Sequence, residues 1–278
     1  MASRVVTRVL RPPHWNPLQS ISNLSSLADY GDLLATLSRH RINVRYRQSL
    51  LGGLWAFLQP LAMMLVFTVV FSRLARVPSE GVPYAPFAYA GILPWTFFAA
   101  AVTNGTMSLV SHAQLVTKVY FPREILPISY VIAAGVDLLI GSSVLVLLLI
   151  YFRIGLTMSI VLVVPVVAVL GMFALACALV LAALQVRLRD VGVGLPVVLQ
   201  LWMFASPVLY PLAVVPVAWR TAFTLNPMTG FIEGFRRAVL DMPFDVYSFA
   251  VAAAVTVVFL PLAYVAFKHA EATMADVV

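Results

Sequence analysis

Six long apolar stretches constrain this chain more than any other feature. A helix that crosses a bilayer needs about 20 mainly apolar residues, and every one of these stretches is long enough. The predicted spans cover about residues 53–72, 86–110, 127–151, 158–184, 192–212 and 247–267. Asp137, in the third stretch, is the only Asp, Glu, Lys or Arg within any of them. The sequence therefore predicts an all-α integral membrane protein with six transmembrane helices.

The composition excludes the other broad classes of protein. Hydrophobic residues make up 62% of the chain and charged residues 10%, against about 45–50% and about 25% in soluble domains. One cysteine, Cys177, cannot form an intramolecular disulfide. No long apolar run precedes residue 50, so we expect no cleaved signal peptide and a first span that serves as its own insertion signal.

The basic residues favour one orientation. With the amino terminus inside, twelve of the 18 Lys and Arg lie on inner segments: Arg4, Arg8, Arg11, Arg39, Arg41, Arg45, Arg47, Lys118, Arg123, Arg187, Arg189 and Lys268. The outer loops hold the others: Arg73, Arg76, Arg153, Arg220, Arg236 and Arg237. Because Lys and Arg are retained on the cytoplasmic side, we predict that both termini are cytoplasmic. The net charge of +7 then reflects topology and does not indicate nucleic-acid binding.

Residues 29–50 predict an amphipathic helix that precedes the first span. Its apolar side chains recur at helical spacing: Tyr30, Leu33, Leu34 and Leu37. We interpret it as an interfacial helix, although docking on a partner protein fits the same pattern. Its arginines suit either an anionic headgroup or ordinary membrane anchoring: Arg39, Arg41, Arg45 and Arg47. Residues 1–28 form a loose cytoplasmic segment, residues 51–268 the membrane domain, and residues 269–278 a cytoplasmic tail.

Two connections between spans have a pattern of their own. Residues 111–124 are long enough for a small helix that Pro122 ends, with apolar positions typical of a contact surface: Leu115, Val116, Val119 and Tyr120. A solvated turn is the alternative. The region from Pro211 to Tyr247 is too apolar for a solvated loop. Asn226-Pro227 predicts a turn, and 228–240 a short re-entrant or interfacial helix that contains a GxxxG pair, Gly230 and Gly234.

No catalytic or nucleotide-binding motif is found in the sequence. The phosphate-binding pattern needs a Gly-Lys pair, and neither Lys118 nor Lys268 follows a glycine. The four histidines lack the spacing of a metal site. Asp137 is interpreted as a structural hydrogen-bonding group near one interface, with a proton relay as the alternative. Aromatic residues in the spans, such as Trp55, fit an interfacial belt or the lining of a passage.

Several segments together resemble the ABC-2 family of polysaccharide export permeases. They are Arg41–Pro60 at the first span, Leu93–Phe98 in the second, Leu115–Leu126 in the inner loop, Val186–Val191 before the fifth span, and Leu225–Gly230 with Gly234–Arg236 in the outer segment. The resemblance extends over about residues 30–268. It implies one half of a transporter, in which two such chains form a channel and each binds a separate ATPase subunit that holds ATP and Mg²⁺.

The resemblance also implies roles for particular residues. Coupling to the ATPase falls on His112, Leu115, Lys118, Val119, Tyr120, Phe121, Arg123 and Glu124. The channel-lining aromatics are Trp55, Trp95, Phe98, Trp202 and Tyr210. The outer gate comprises Asn226, Pro227, Gly230, Gly234, Phe235 and Arg236.

The cargo implied is a lipid-linked polysaccharide, such as an O antigen, a capsule or a teichoic acid, exported across the bacterial inner membrane. We expect the chain to bind no metal or cofactor and not to be an enzyme itself. Two alternatives stay open: an ABC-2 exporter of drugs or other small molecules, and a proton-coupled transporter that uses Asp137.

Overall fold

The structure, a computed structural model, describes residues 30–47, 54–119, 121–155 and 157–277. Within these residues, the first five α-helices are α1 (Gly31–Arg47), α2 (Trp55–Phe67), α3 (Tyr84–Met107), α4 (Ala113–Lys118) and α5 (Ile125–Tyr151). The others are α6 (Val163–Arg187), α7 (Asp190–Phe204), α8 (Val217–Leu225), α9 (Pro227–Val239) and α10 (Val246–Val277). A π-helix, Thr68–Leu74, continues α2. Three 3-10 helices are Val110–His112, Met158–Leu162 and Leu212–Val214.

The described residues confirm the all-helical prediction, because they contain no strand. Five helices are long and apolar enough to cross a membrane: Phe57–Leu74, Tyr84–Met107, Ile125–Tyr151, Met158–Arg187 and Val246–Glu271. They correspond to the first, second, third, fourth and sixth predicted spans.

The fifth predicted span, residues 192–212, forms a shorter helix than expected. α7 has 15 residues and ends at Phe204, and turns follow it. At about 1.5 Å per residue, α7 is roughly 22 Å long, less than the hydrocarbon thickness of about 30 Å. Pro207 and Pro211 follow soon after its end, and proline both lacks an N–H donor and disfavours helical geometry in the residue before it.

The last helix continues beyond the predicted end of the sixth span at residue 267. α10 runs through the predicted tail to Val277. Its extension carries an ion pair with i, i+3 spacing, in which Lys268 Nζ lies 2.9 Å from Glu271 Oε2, and such pairs stabilise helices. The segment after residue 267 is therefore helical to Val277.

The core lies around α3, which is the most enclosed of the long helices. In the most apolar stretch of α3, 78% of the residues are buried, whereas in that of the first span only 11% are buried. Small and aromatic side chains alternate along α3, and Phe87, Tyr89 and Phe98 are fully buried. A second core surrounds Val116, Phe121 and Phe267 at the end of the bundle that carries α4; we call this the α4 end.

The helix α1 lies against this second core. The apolar residues predicted to share a face are all partly buried on it: Tyr30, Leu33, Leu34 and Leu37. Asp32, Thr36, Arg39 and His40 are exposed. These apolar side chains therefore contact protein, whereas the polar ones named here are exposed.

Candidate functional site

The α4 end presents a short helix between the second and third long helices. α4 ends at Lys118, earlier than the predicted helix, because Val119 already has extended backbone geometry. Val116 is buried in the second core, whereas Gln114, Lys118 and Val119 are exposed. Half of the Val119 side chain is accessible, at 52%. The end of α4 therefore exposes a cation and an apolar side chain next to each other, Lys118 and Val119.

His112 and Arg41 fasten α4 and α1 to the start of α5. His112 Nδ1 lies 3.0 Å from the Ser108 carbonyl oxygen. The guanidinium of Arg41 lies over the Tyr130 ring, 3.4 Å from its centroid, and Arg41 Nε donates to Ser129 Oγ at 2.7 Å. Burial lowers the pKa of His112, and the nearby positive charge of Arg41 lowers it further. His112 is therefore held in its neutral form at neutral pH.

A buried ionic cluster joins the segment after α4 to the last helix. Glu124 is 1% exposed; its carboxylate accepts hydrogen bonds from Tyr264 Oη at 3.2 Å and from Lys268 Nζ at 2.7 Å. Lys268 also donates to Glu271 Oε2 at 2.9 Å. Arg123 Nη1 donates to the Glu271 carbonyl oxygen at 2.7 Å. We call these five residues the Glu124 clasp.

The predicted coupling residues thus divide into two groups. Lys118 and Val119 face outward, while Leu115 packs partly and Phe121 fully against the second core. Arg123 and Glu124 belong to the clasp, so they hold the loop in position and leave little free surface. Tyr120 lies outside the described residues.

The predicted headgroup arginines also differ among themselves. Arg39 is exposed on α1, whereas Arg41 is engaged by Ser129 and Tyr130. The side chains of Arg45 and Arg47 lie outside the described residues. Among the described arginines of this set, Arg39 therefore has the most accessible charge.

Three of the five predicted channel aromatics form one buried cluster. The Trp202 ring lies 6.4 Å from Trp95 and 5.3 Å from Phe98, centroid to centroid. Phe98 is stacked on Phe173 at 5.7 Å and is fully buried. Trp95 is 4% exposed. These rings mainly pack α3 against α6 and α7.

The other two predicted aromatics, Trp55 and Tyr210, lie outside this cluster. Trp55 is 55% exposed at the start of α2. Tyr210 donates from its hydroxyl to the Phe204 carbonyl oxygen at 2.7 Å, and its ring lies 6.4 Å from that of Phe223. The five aromatics therefore do not line a single surface of this chain.

At the end opposite α4, Asn226 connects three segments. Its Oδ1 accepts from Trp202 Nε1 at 3.0 Å and from the Met228 backbone N–H at 3.1 Å. Its Nδ2 donates to Ser206 Oγ at 2.9 Å. Asn226 is therefore the N-cap of α9, with Pro227 in the first helical position, and the predicted turn is confirmed.

Arg236 holds α9 against the chain around it. It is 0% exposed. Its Nη1 pairs with Glu233 at 2.6 Å, and its Nη2 donates to the Pro207 and Val208 carbonyl oxygens at 2.8 and 2.6 Å. The guanidinium also lies over the Phe87 ring, 4.0 Å from the centroid. Since almost every donor is satisfied, Arg236 is a structural anchor of this end.

The GxxxG pair of α9 allows close helix contact. A Cβ on Gly230 would overlap the Ser248 carbonyl oxygen of α10, and one on Gly234 would lie 3.3 Å from a Val166 methyl group of α6. The neighbouring Phe235 is 2% exposed. This motif thus places α9 between two long helices.

Several important residues were not predicted. Tyr264, Lys268 and Glu271 complete the clasp, and Glu233 pairs with Arg236. The Glu124–Lys268 contact joins positions 144 residues apart, and no local periodicity reports such a pair. The one sequence signal that could have indicated a buried partner for Glu124 was its charge next to the apolar residues Ile125 and Leu126.

Long apolar helices around a shared core, with short helices at both ends of the bundle, define a multi-pass helical membrane protein. The described residues contain no cluster of three His, Cys, Asp or Glu side chains suited to a metal ion.

Comparison with known proteins gives the family. The model of the family described as ABC-2 type transporter matches residues 32–240. The chain is 34% identical over 213 residues to the O-antigen export system permease protein RfbA of Myxococcus xanthus, covering 76% of this chain and 81% of that protein. This chain belongs to the ABC-2 type transporter family.

Two further relatives show the same extent of similarity. An O-antigen export system permease protein RfbA of Klebsiella pneumoniae is 28% identical over 74% of this chain and 79% of its own length. The polysialic acid transport protein KpsM of Escherichia coli is 24% identical over 72% of this chain and 78% of its own length. The predicted family resemblance is confirmed.

Proposed function

We propose that this chain is the permease subunit of an ATP-driven exporter of lipid-linked polysaccharide in the bacterial inner membrane. The observation that carries the proposal is similarity along three quarters of the chain to proteins named for O-antigen export and polysialic acid transport. An O antigen, a capsule or a teichoic acid fits this role.

The proposed topology has six crossings with both termini in the cytoplasm. α7 is the fifth crossing in chain order, and the turns after Phe204 complete its passage. The α4 end then faces the cytoplasm. Its basic side chains support this side: Arg39, Arg41, Lys118, Arg123, Arg187, Arg189 and Lys268. The exposed charge of Arg39 is suited to an anionic headgroup at the inner leaflet.

The power source is a separate ATPase subunit, since the sequence has no phosphate-binding loop. Two ATPase copies, each with ATP and Mg²⁺, serve two copies of this chain. The exposed face of α4, with Lys118 and Val119, is the docking surface. The Glu124 clasp passes movement of the docked loop to α5 and α10, because it ties the start of one helix to the end of the other.

The channel forms between the two copies, with Trp55 among its aromatic lining, and α8 and α9 gate its outer exit. Asn226 and Arg236 hold these short helices in place. Such a gate opens by moving α8 and α9 together, because Asn226 joins them.

Deletion of the gene in its native host tests the proposal. We expect cell-surface polysaccharide to disappear and its lipid-linked form to accumulate at the inner leaflet, and the wild-type gene to restore export. Normal surface polysaccharide in the deletion strain, with loss of export of a small molecule, would favour the small-molecule alternative.

A further inference from the structure

A cavity of about 350 Å³ lies between α2, α3 and α5. It is within the range of ligand pockets, roughly 300–1,000 Å³. Residues of α2 form one wall, residues 93–104 of α3 a second, and Ala134, Asp137 and Leu138 of α5 a third. Asp137 lies close to the middle of α5 (Ile125–Tyr151), whereas the sequence suggested a position nearer one end.

The polar side chains of this cavity distinguish it from the rest of the apolar helices. Gln59, Thr103, Asn104 and Asp137 line it together. Within the described part of the chain, the side chains of Gln59, Thr103 and Asn104 form no hydrogen bond. Thr96 differs, since its hydroxyl donates to the Leu93 carbonyl oxygen at 2.9 Å. The unpaired side chains of Gln59, Thr103 and Asn104 are costly at membrane depth, so we expect water or a polar ligand in this cavity.

An aromatic platform stands beside these polar groups. Trp55 borders the cavity with an indole that is 55% exposed. Trp95 forms part of the wall and is braced by Trp202, 6.4 Å away between centroids. A sugar ring presents apolar C–H faces, which pack on aromatic faces, and hydroxyl groups that both donate and accept. Amides, a hydroxyl and a carboxylate can meet such groups.

We propose that Gln59, Thr103, Asn104 and Asp137, with Trp55, form a binding site for the sugar hydroxyls of the transported polysaccharide. The inference rests on the proposed function. The site is poorly suited to Ca²⁺ or Mg²⁺, which take six or more oxygen ligands, usually with several carboxylates or waters. Most of these donors and acceptors are uncharged and bind each sugar weakly, which suits a polymer that must slide onward.

Thiol labelling in native membranes tests the site. In a Cys177→Ser background, Gln59→Cys, Thr103→Cys and Asn104→Cys each place one thiol in the cavity, and Leu139→Cys, 71% exposed on α5, is the control on an apolar surface. We expect a charged methanethiosulfonate reagent to modify the three cavity thiols at least about tenfold faster than the control, because apolar surroundings raise a thiol pKa and each unit removes nine-tenths of the thiolate.

The probe for binding is the polysaccharide of the host cell itself. Membranes are compared from cells that make the polysaccharide and from cells blocked in its synthesis, both without ATP so that transport is stalled. Slower labelling of the cavity thiols in the first membranes supports the site. Absence of labelling would mean that lipid or a second copy fills the cavity, and labelling that polysaccharide does not slow would mean that only water does; either result overturns the inference.

Export measurements separate this inference from the proposed function. Gln59→Leu and Asn104→Leu should slow export by about tenfold, the effect of losing a hydrogen bond of average strength, while Leu139→Ala should not. If the wild-type chain fails to restore export, the proposed function fails. If the wild type exports and both variants export equally fast, only the binding site is wrong.

Discussion

Buried charges carry much of the specificity of this molecule. A charged side chain removed from water is stable only when its hydrogen bonds and its charge are both matched. Glu124 meets this condition through Tyr264 and Lys268, and Arg236 through Glu233 and two carbonyl oxygens. The two clusters lie at opposite ends of the bundle and fix the positions of its short segments.

Removal of Glu124 should be costly. In Glu124→Ala, Lys268 loses its closest anionic partner while it remains largely buried, at 13% exposed. Breaking a buried pair costs about 3–5 kcal/mol, and we expect the free energy of unfolding in detergent micelles to fall by this order. Glu80→Ala is the matched control, because its pair with Arg237 is exposed at 3.5 Å and worth at most about 1 kcal/mol. Equal losses in the two variants would contradict the structural role of the clasp.

Arg236 should not tolerate lysine. A lysine ammonium keeps the charge but cannot present the planar fork that contacts Glu233, Pro207 and Val208 together. We expect Arg236→Lys to lower the free energy of unfolding by about 3 kcal/mol, of the order of one or two lost hydrogen bonds to a charged group. Arg76→Lys, at an exposed position, should change it by less than about 1 kcal/mol. A stable, fully exporting Arg236→Lys variant would argue against the anchor.

At the scale of elements, helix boundaries were predicted most accurately where neighbouring residues, such as an N-cap, determine the end of the helix. α9 begins at Pro227 and ends at Val239, within one residue of the prediction at each end, because Asn226 caps it. α7 was predicted too long, since apolar residues continue through turns that prolines impose. The partners of Glu124 (Tyr264 and Lys268) and the Pro207 and Val208 carbonyl groups that bind Arg236 were not predictable, because they lie far away along the chain.

The packing of α9 makes its own prediction. Gly230→Ala places a methyl group against the Ser248 carbonyl oxygen, which is backbone and cannot easily move. Overpacking costs about 1–3 kcal/mol, so we expect a lower thermal midpoint and loss of export. In Gly194→Ala the new methyl meets nothing within 4 Å, and replacement of a helical glycine by alanine should stabilise α7 by up to about 1 kcal/mol. The two thermal midpoints should therefore shift in opposite directions.

The docking role of α4 is testable by charge reversal. Lys118 is exposed and outside the clasp, so Lys118→Glu should leave the thermal midpoint unchanged while it weakens ATPase binding by about tenfold, or about 1.4 kcal/mol. Arg76→Glu makes the same change of charge on an exposed residue at the other end and should leave binding unchanged. If Arg76→Glu weakened ATPase binding more than Lys118→Glu, the docking surface would lie at the end opposite α4, which would contradict the proposal.

For the whole molecule, the exposed surface comprises large apolar areas and one polar cavity. In the most apolar stretch of the first span only 11% of the residues are buried. The helix α7 exposes Val193, Val197 and Leu201. Lipid can cover such surfaces, but not the polar cavity beside α2. In the proposed transporter, a second copy and a water-filled passage would account for both kinds of surface.

Purification of the tagged chain from native membranes tests the central claim most directly. The eluate is analysed by mass spectrometry for its subunits and assayed for ATP hydrolysis. We predict an ATPase subunit in equal amount with this chain and measurable ATP turnover. A homo-oligomer that exports polysaccharide with no ATPase bound would contradict the account, and transport driven by an ion gradient would then direct attention to Asp137.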